Sequence, residues 1–132
     1  MKEILDTRFF IELFFSTDAR VLERARAKLH DLRRRREGVL PTLVIAEFFE
    51  QVCRRAGKRE ASKASDAILA GGLELSPLSL GIARAAGVLR CQHRRVPMAD
   101  CIVAATAADA EGRVVSDDPH FGELRGIRTT WL

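Results

Sequence analysis

Cysteine is scarce in this sequence: Cys53, Cys91 and Cys101 are odd in number, far apart and free of any Cys-x-x-Cys pair. That excludes a disulfide framework and a cysteine zinc site, leaving idle or buried thiols as the expectation. Long apolar runs are also lacking. The hydrophobic stretches are short and broken by charge, as in Leu43–Phe49, and none approaches the roughly 20 residues that cross a bilayer. The opening Met-Lys-Glu-Ile-Leu-Asp meets charge at once and has no small-residue cleavage site, so a signal peptide is not expected and a cytoplasmic protein is. Neither internal repeats nor Gly/Ser-rich linkers interrupt the chain. Its 132 residues, 47% of them hydrophobic, hold apolar material for one core and too little length for two ordinary domains, so residues 1–132 read as a single domain. The formal charge of +4 suits a polyanionic partner without selecting one.

What is present is an alternation of short apolar runs with longer helical periodicities. Ile4-Leu5 reads as a buried strand, and Phe9, Phe10, Leu13 and Phe14 follow at helical spacing. Asp18 is placed to cap a second helix that runs to the basic cluster Arg33–Arg36. Val39-Leu40 is the next strand, with Thr42 as N-cap of a helix from Leu43 to about Arg55. A helix over Glu60–Ala70, a strand at Leu73–Leu75, a helix from Ser79 to His93 and an Ala-rich helix from Met98 to Ala110 after Pro97 complete the middle. Val114-Val115 and the Ile127–Trp131 region supply the last strands. Parallel strands need helical crossovers, so the pattern predicts an α/β fold: a three-layer α/β/α sandwich with a four- to five-stranded parallel sheet. Ligands in such sheets bind beyond the carboxyl ends of the strands.

Acids stand where that rule points. Asp6 directly follows the first strand, and Asp117-Asp118 follow Val114-Val115. Taken singly, either acid is explained by helix capping. The helical acids add weight. Glu47 interrupts the apolar surface of Leu43–Phe49, and Asp100 stands in a helix that is nonpolar almost all round, with no Lys or Arg one turn away. An unpaired buried carboxylate costs several kcal/mol, by order of magnitude, so each needs a cation. A basic residue from elsewhere in the chain is one source. A hard divalent ion, Mg²⁺ or Mn²⁺, held by several carboxylates is the other and fits the set better. The helix dipole is expected to help keep Asp100 ionised.

At these residues the sequence resembles the PIN-domain nucleases, and among them the VapC-type toxins of toxin–antitoxin pairs. The likeness spans the chain: Ile-Leu-Asp-Thr at 4–7, Leu-Val-Ile-Ala-Glu ending at Glu47, Met-Ala-Asp-Cys-Ile-Val-Ala-Ala-Thr-Ala at 98–107 and Val-Val-Ser-Asp-Asp-Pro-His-Phe at 114–121. The resemblance implies that Asp6, Glu47, Asp100 and Asp118 are the catalytic, metal-holding quartet of a Mg²⁺- or Mn²⁺-dependent endoribonuclease. It further implies an RNA substrate, a cognate antitoxin and a homodimer, with hydrolysis by a water that the cation activates. Two positions depart from the family pattern: Ser116 stands where Thr is commoner, and Asp117 where Gly is frequent. Ser keeps the hydroxyl. Thr7 and Ser116 are expected to support the carboxylates by hydrogen bonds, with simple capping as the alternative. Asp117 is counted beside them, and of joining the metal or facing solvent the second is expected, because adjacent turn residues seldom face one ligand.

Arg94 and Arg95, just ahead of the Asp100 helix, are candidate nucleic-acid contacts. Arg33–Arg36 reads as a solvated helix end and His120 as a surface histidine in a turn. The phenylalanines are expected in the core, with a dimer or antitoxin surface as the alternative use of some. Rival readings fare worse. A phosphotransferase would carry a second acid where Arg8 stands, and no suitably placed lysine in this chain supports a receiver domain. A PIN-like module that only binds RNA or protein, and a non-toxin PIN protein in RNA processing, stay open.

Overall fold

Short buried strands and longer helices do alternate, and the computed structural model describes all 132 residues. The strands are β1 (Glu3–Leu5), β2 (Gly38–Pro41), β3 (Glu74–Ser76), β4 (Arg113–Val115) and β5 (Thr129–Thr130). The helices are α1 (Thr7–Phe15), α2 (Ala19–Arg35), α3 (Thr42–Ala56), α4 (Lys58–Leu69), α5 (Leu80–Gln92), α6 (Met98–Asp109) and the single turn α7 (His120–Glu123). All strand pairings are parallel, in the order β3-β2-β1-β4-β5. Glu3 lies opposite Arg113 and Leu5 opposite Val115, so β1 and β4 end level with one another.

The chain steps from β1 through β2 to β3 in one direction, then returns past β1 to β4 and β5. Right-handed crossovers therefore put α1–α4 on one face and α5–α6 on the other. The direction reverses between β1 and β4, and the crevice at that reversal is where open parallel sheets bind ligands.

Apolar contacts hold the three layers together. Ile4, Leu5, Leu40, Val114 and Val115 are buried in the sheet, and Phe9, Phe10 and Phe48 pack on it from α1 and α3. Phe10 meets Phe48 edge-on at 6.1 Å. Each such ring contributes about 1.5–3 kcal/mol by leaving water. On the opposite face α6 buries Cys101 and Val103–Ala107. Its small side chains let it lie directly on β1 and β4. Gly112 completes that approach, because a Cβ there would collide with the Lys2 carbonyl.

Several boundaries differ from the sequence-based expectation. Thr42 is the first helical residue of α3, not its N-cap, because Pro41 still pairs with Ser76 in the sheet and the strand runs straight into the helix. The third strand is one residue later than Leu73–Leu75, and as an edge strand it leaves Leu75 exposed. The α7 turn was not foreseen, since four residues are too few to show a period. Cys91 is exposed, while Cys101 is buried. Phe14 and Phe15 are partly exposed on the outer side of α1.

Candidate metal centre

Two carboxylates reach the β1/β4 crevice from strand ends. Asp6 is the residue between β1 and α1, and its side chain is almost wholly buried, at 3% exposure. Ser116, the first residue after β4, donates its hydroxyl to Asp6 Oδ2 at 2.8 Å. The same Ser116 Oγ accepts the Asp118 backbone N–H at 3.1 Å. One serine hydroxyl thus links the acid after β1 to the acid after β4.

Two further carboxylates arrive on helices from opposite faces. Glu47, half-buried on α3, accepts the Thr7 hydroxyl at 2.9 Å through Oε1. Asp100, in the first turn of α6, lies with Oδ2 3.0 Å from His120 Nδ1. The same ring nitrogen is 3.2 Å from Asp118 Oδ1. The ligating atoms of Asp100, Asp118 and His120 all fall within 4.8 Å of one another.

Charge is poorly compensated here. Burial pushes the Asp6 carboxyl above its ordinary range and outweighs the hydrogen bonds from the Ser116 hydroxyl and the N–H groups of Thr7 and Arg8, with Asp118 adding a smaller repulsion. Glu47 is raised by burial, with repulsion from Asp6, Glu50 and Asp118 acting against the Thr7 hydrogen bond. Asp100 is raised to about 6, first by burial and then by Asp118 and Asp6, with His120 opposing. The helix-dipole stabilisation expected for Asp100 is therefore overridden, because its neighbours are anions and its surroundings largely dry.

Glu3 shows what a protein-neutralised acid looks like in the same sheet. It is 1% exposed, with Lys28 at 3.0 Å, Arg113 at 2.6 Å and Arg35 at 4.0 Å. No Lys or Arg makes an ion pair with Asp6, Glu47, Asp100 or Asp118. The only ring nitrogen against these acids is that of His120, and Arg8 is turned to Asp117, so oxygen donors with largely unmet negative charge fit a hard divalent cation.

A family model for the PIN domain matches residues 4–127. The chain belongs to the PIN domain family. Solved structures similar to this PIN domain include VapBC2 of Rickettsia felis bound to a promoter DNA fragment, with a TM-score of 0.82, 17% identity, and 99% of this chain and 98% of that one covered. DNA-bound VapBC of Salmonella typhimurium matches with a TM-score of 0.79 at 18% identity over 99% and 98% of the two chains. VapC20 of Mycobacterium tuberculosis, a sarcin–ricin loop cleaving toxin, matches with a TM-score of 0.73 at 18% identity over 92% and 94%. No curated protein matches the chain.

The remaining expected residues fall around this centre in different ways. Asp117 is held by Arg8 through two hydrogen bonds of 2.9 and 3.1 Å, which keep its carboxyl below the ordinary range. It has its own cation, unlike its neighbour Asp118. Arg94 and Arg95 are exposed in the turn before α6 and make no ion pair. Within Arg33–Arg36, Arg34 and Arg35 pair with Asp31, and Arg36 ends α2 in a left-handed conformation with φ of 57°. His120 is the residue that sequence reasoning set aside. The available signal was its spacing: Asp118 Oδ1 accepts the His120 N–H at 2.9 Å, a two-residue turn that folds residue 120 back over the carboxylate.

Proposed function

We propose that this PIN domain is a Mg²⁺- or Mn²⁺-dependent ribonuclease that hydrolyses RNA phosphodiester bonds as the toxin of a VapBC-type pair, working as a homodimer with a cognate antitoxin. The observation that carries the reading is the uncompensated charge: four acids from four parts of the chain meet at the sheet's reversal point without a lysine or arginine among them. Asp6, Glu47, Asp100 and Asp118 would hold the cation. When bound, it supplies Lewis-acid charge at the phosphoryl oxygens and makes water acidic enough to attack at neutral pH.

The chain's own groups then have distinct tasks. Ser116 and burial fix Asp6 in one orientation, so its position does not depend on the ligand. Thr7 orients Glu47 through one of its oxygens, and Glu47 or Asp118 takes the proton of the attacking water. Arg94 and Arg95 offer phosphate contacts beside the Asp100 turn. The toxin role draws support from the likeness in fold to the VapBC structures.

The test is RNA cleavage by purified protein with Mn²⁺, with EDTA, and after Asp100→Asn, with growth scored on expression. Cleavage that needs Mn²⁺ and is lost in the variant is expected, together with growth arrest. Cleavage unaffected by EDTA or by the substitution overturns the metal nuclease, and cleavage without arrest assigns the chain to RNA processing instead.

A further inference from the structure

Four carboxylates account for the oxygen donors of the centre, and His120 is left over. Its Nδ1 lies 3.0 Å from Asp100 Oδ2 and 3.2 Å from Asp118 Oδ1. One proton on Nδ1 satisfies one acceptor, so two carboxylate oxygens at contact distance exceed what a hydrogen bond requires. An octahedral ion with bonds of about 2.1 Å spaces neighbouring donor atoms about 3.0 Å apart. Both separations from Nδ1 match that spacing, and all three donor atoms lie within 4.8 Å of one another, close enough to share one ion.

The ring is held in that place by the chain around it. Asp118 Oδ1 receives the His120 N–H, Pro119 restricts the backbone just before it, and Phe121 just after it is fully buried. With its side chain 40% exposed, His120 sits at the mouth of the centre, over acids that are themselves more buried.

We infer that His120 is a nitrogen ligand of the cation at this centre and biases it toward Mn²⁺ and later first-row ions over Mg²⁺. The inference rests on the metal reading above and adds a donor of a different class. Mg²⁺ takes oxygen donors and gives up water reluctantly, whereas imidazole favours transition ions, whose affinity for nitrogen sites rises from Mn²⁺ through Co²⁺. Coordination through Nδ1 uses the neutral tautomer protonated on Nε2.

Pulsed EPR of the protein loaded with Mn²⁺ reads directly bonded nitrogen. The wild type is expected to show imidazole nitrogen modulation that His120→Gln abolishes. Calorimetric titration of metal-free protein should show Mn²⁺ and Co²⁺ binding about tenfold or more weaker in His120→Gln, with Mg²⁺ changed by less than about threefold. His120→Asp, which restores an oxygen donor, should retain Mg²⁺ binding without the preference for Mn²⁺. Mn²⁺ bound in the wild type without nitrogen modulation, or an unchanged Mn²⁺/Mg²⁺ ratio in His120→Gln, overturns the inference and leaves the nuclease reading standing. Absence of any divalent binding by the wild type removes both.

Discussion

Replacing Asp100 with asparagine is expected to stabilise the metal-free protein at neutral pH, against the usual trend for changes at a partly buried position. The ligating oxygens of Asp100 and Asp118 lie within 4.8 Å, where two negative charges repel by about 3 kcal/mol at an effective dielectric near 20. The elevation of the Asp100 carboxyl to about 6 from its ordinary 3.8 corresponds to about 3 kcal/mol against the ionised form. The two figures describe overlapping costs and are not summed. Its side chain is 13% exposed and faces His120, so water and the imidazole relieve part of this, and a gain of about 1–2 kcal/mol is expected. In a chain of this length each kcal/mol moves the melting temperature by roughly 4 °C.

The pH dependence follows from the same numbers. The folded-state pKa lies above the unfolded one, so the stability contributed by protonated Asp100 is present below about pH 4 and lost as pH rises through about 6. Asparagine mimics the protonated acid. Calorimetry in EDTA should therefore show wild type and Asp100→Asn melting alike near pH 4 and diverging by pH 7.5, with the variant higher. Saturating Mn²⁺ should reverse the order at pH 7.5, since ligand binding to the folded state at a hundredfold excess over its Kd adds about 2.7 kcal/mol and the variant forgoes most of it. An Asp100→Asn protein less stable than wild type in EDTA at pH 7.5, or a gap that persists at pH 4, would refute the reasoning.

The same acid-to-amide change at Glu3 should act in the opposite direction: Glu3→Gln is expected to destabilise by about 1–3 kcal/mol by denaturant melt, because Lys28, Arg113 and Arg35 lose a shared counter-charge while remaining partly solvated themselves. Ser116→Ala removes both the donor to Asp6 and the acceptor for the Asp118 N–H, and about 1–2 kcal/mol of stability should go with them; Ser116→Thr should restore the Mn²⁺ response that the alanine weakens. Replacing Arg94 and Arg95 together by alanine should raise the KM for RNA and flatten its salt dependence while kcat changes little; an unchanged KM would remove both from the substrate path.

Much of the layering was legible because periodicity is local. The two-residue apolar runs at Ile4-Leu5 and Val114-Val115 and the helical spacing of Phe9, Phe10 and Leu13 each report a burial pattern that the structure repeats. Asp18 caps α2 through the Arg20 N–H, as its position ahead of the helix predicts. The acids of the centre were visible for a related reason: Glu47 and Asp100 are charges on otherwise apolar helical surfaces. Glu3 was not singled out, although it is buried in the same strand as Ile4 and Leu5, because its partners come from residues 28, 35 and 113. Edge effects were likewise invisible, so nothing in Leu75 itself shows that β3 is the last strand on its side.

The sequence by itself determined the order of the strands and the six longer helices and which carboxylates lack a local counter-ion, since both follow from side chains within a turn or two of each other. Only the tertiary structure decided that β1 and β4 lie side by side, that Ser116 bridges Asp6 to the Asp118 loop, that Asp117 goes to Arg8 and that the His120 ring reaches Asp100. Such pairings depend on strand order and register, which are set by the packing of the whole core, and no short stretch of residues encodes them.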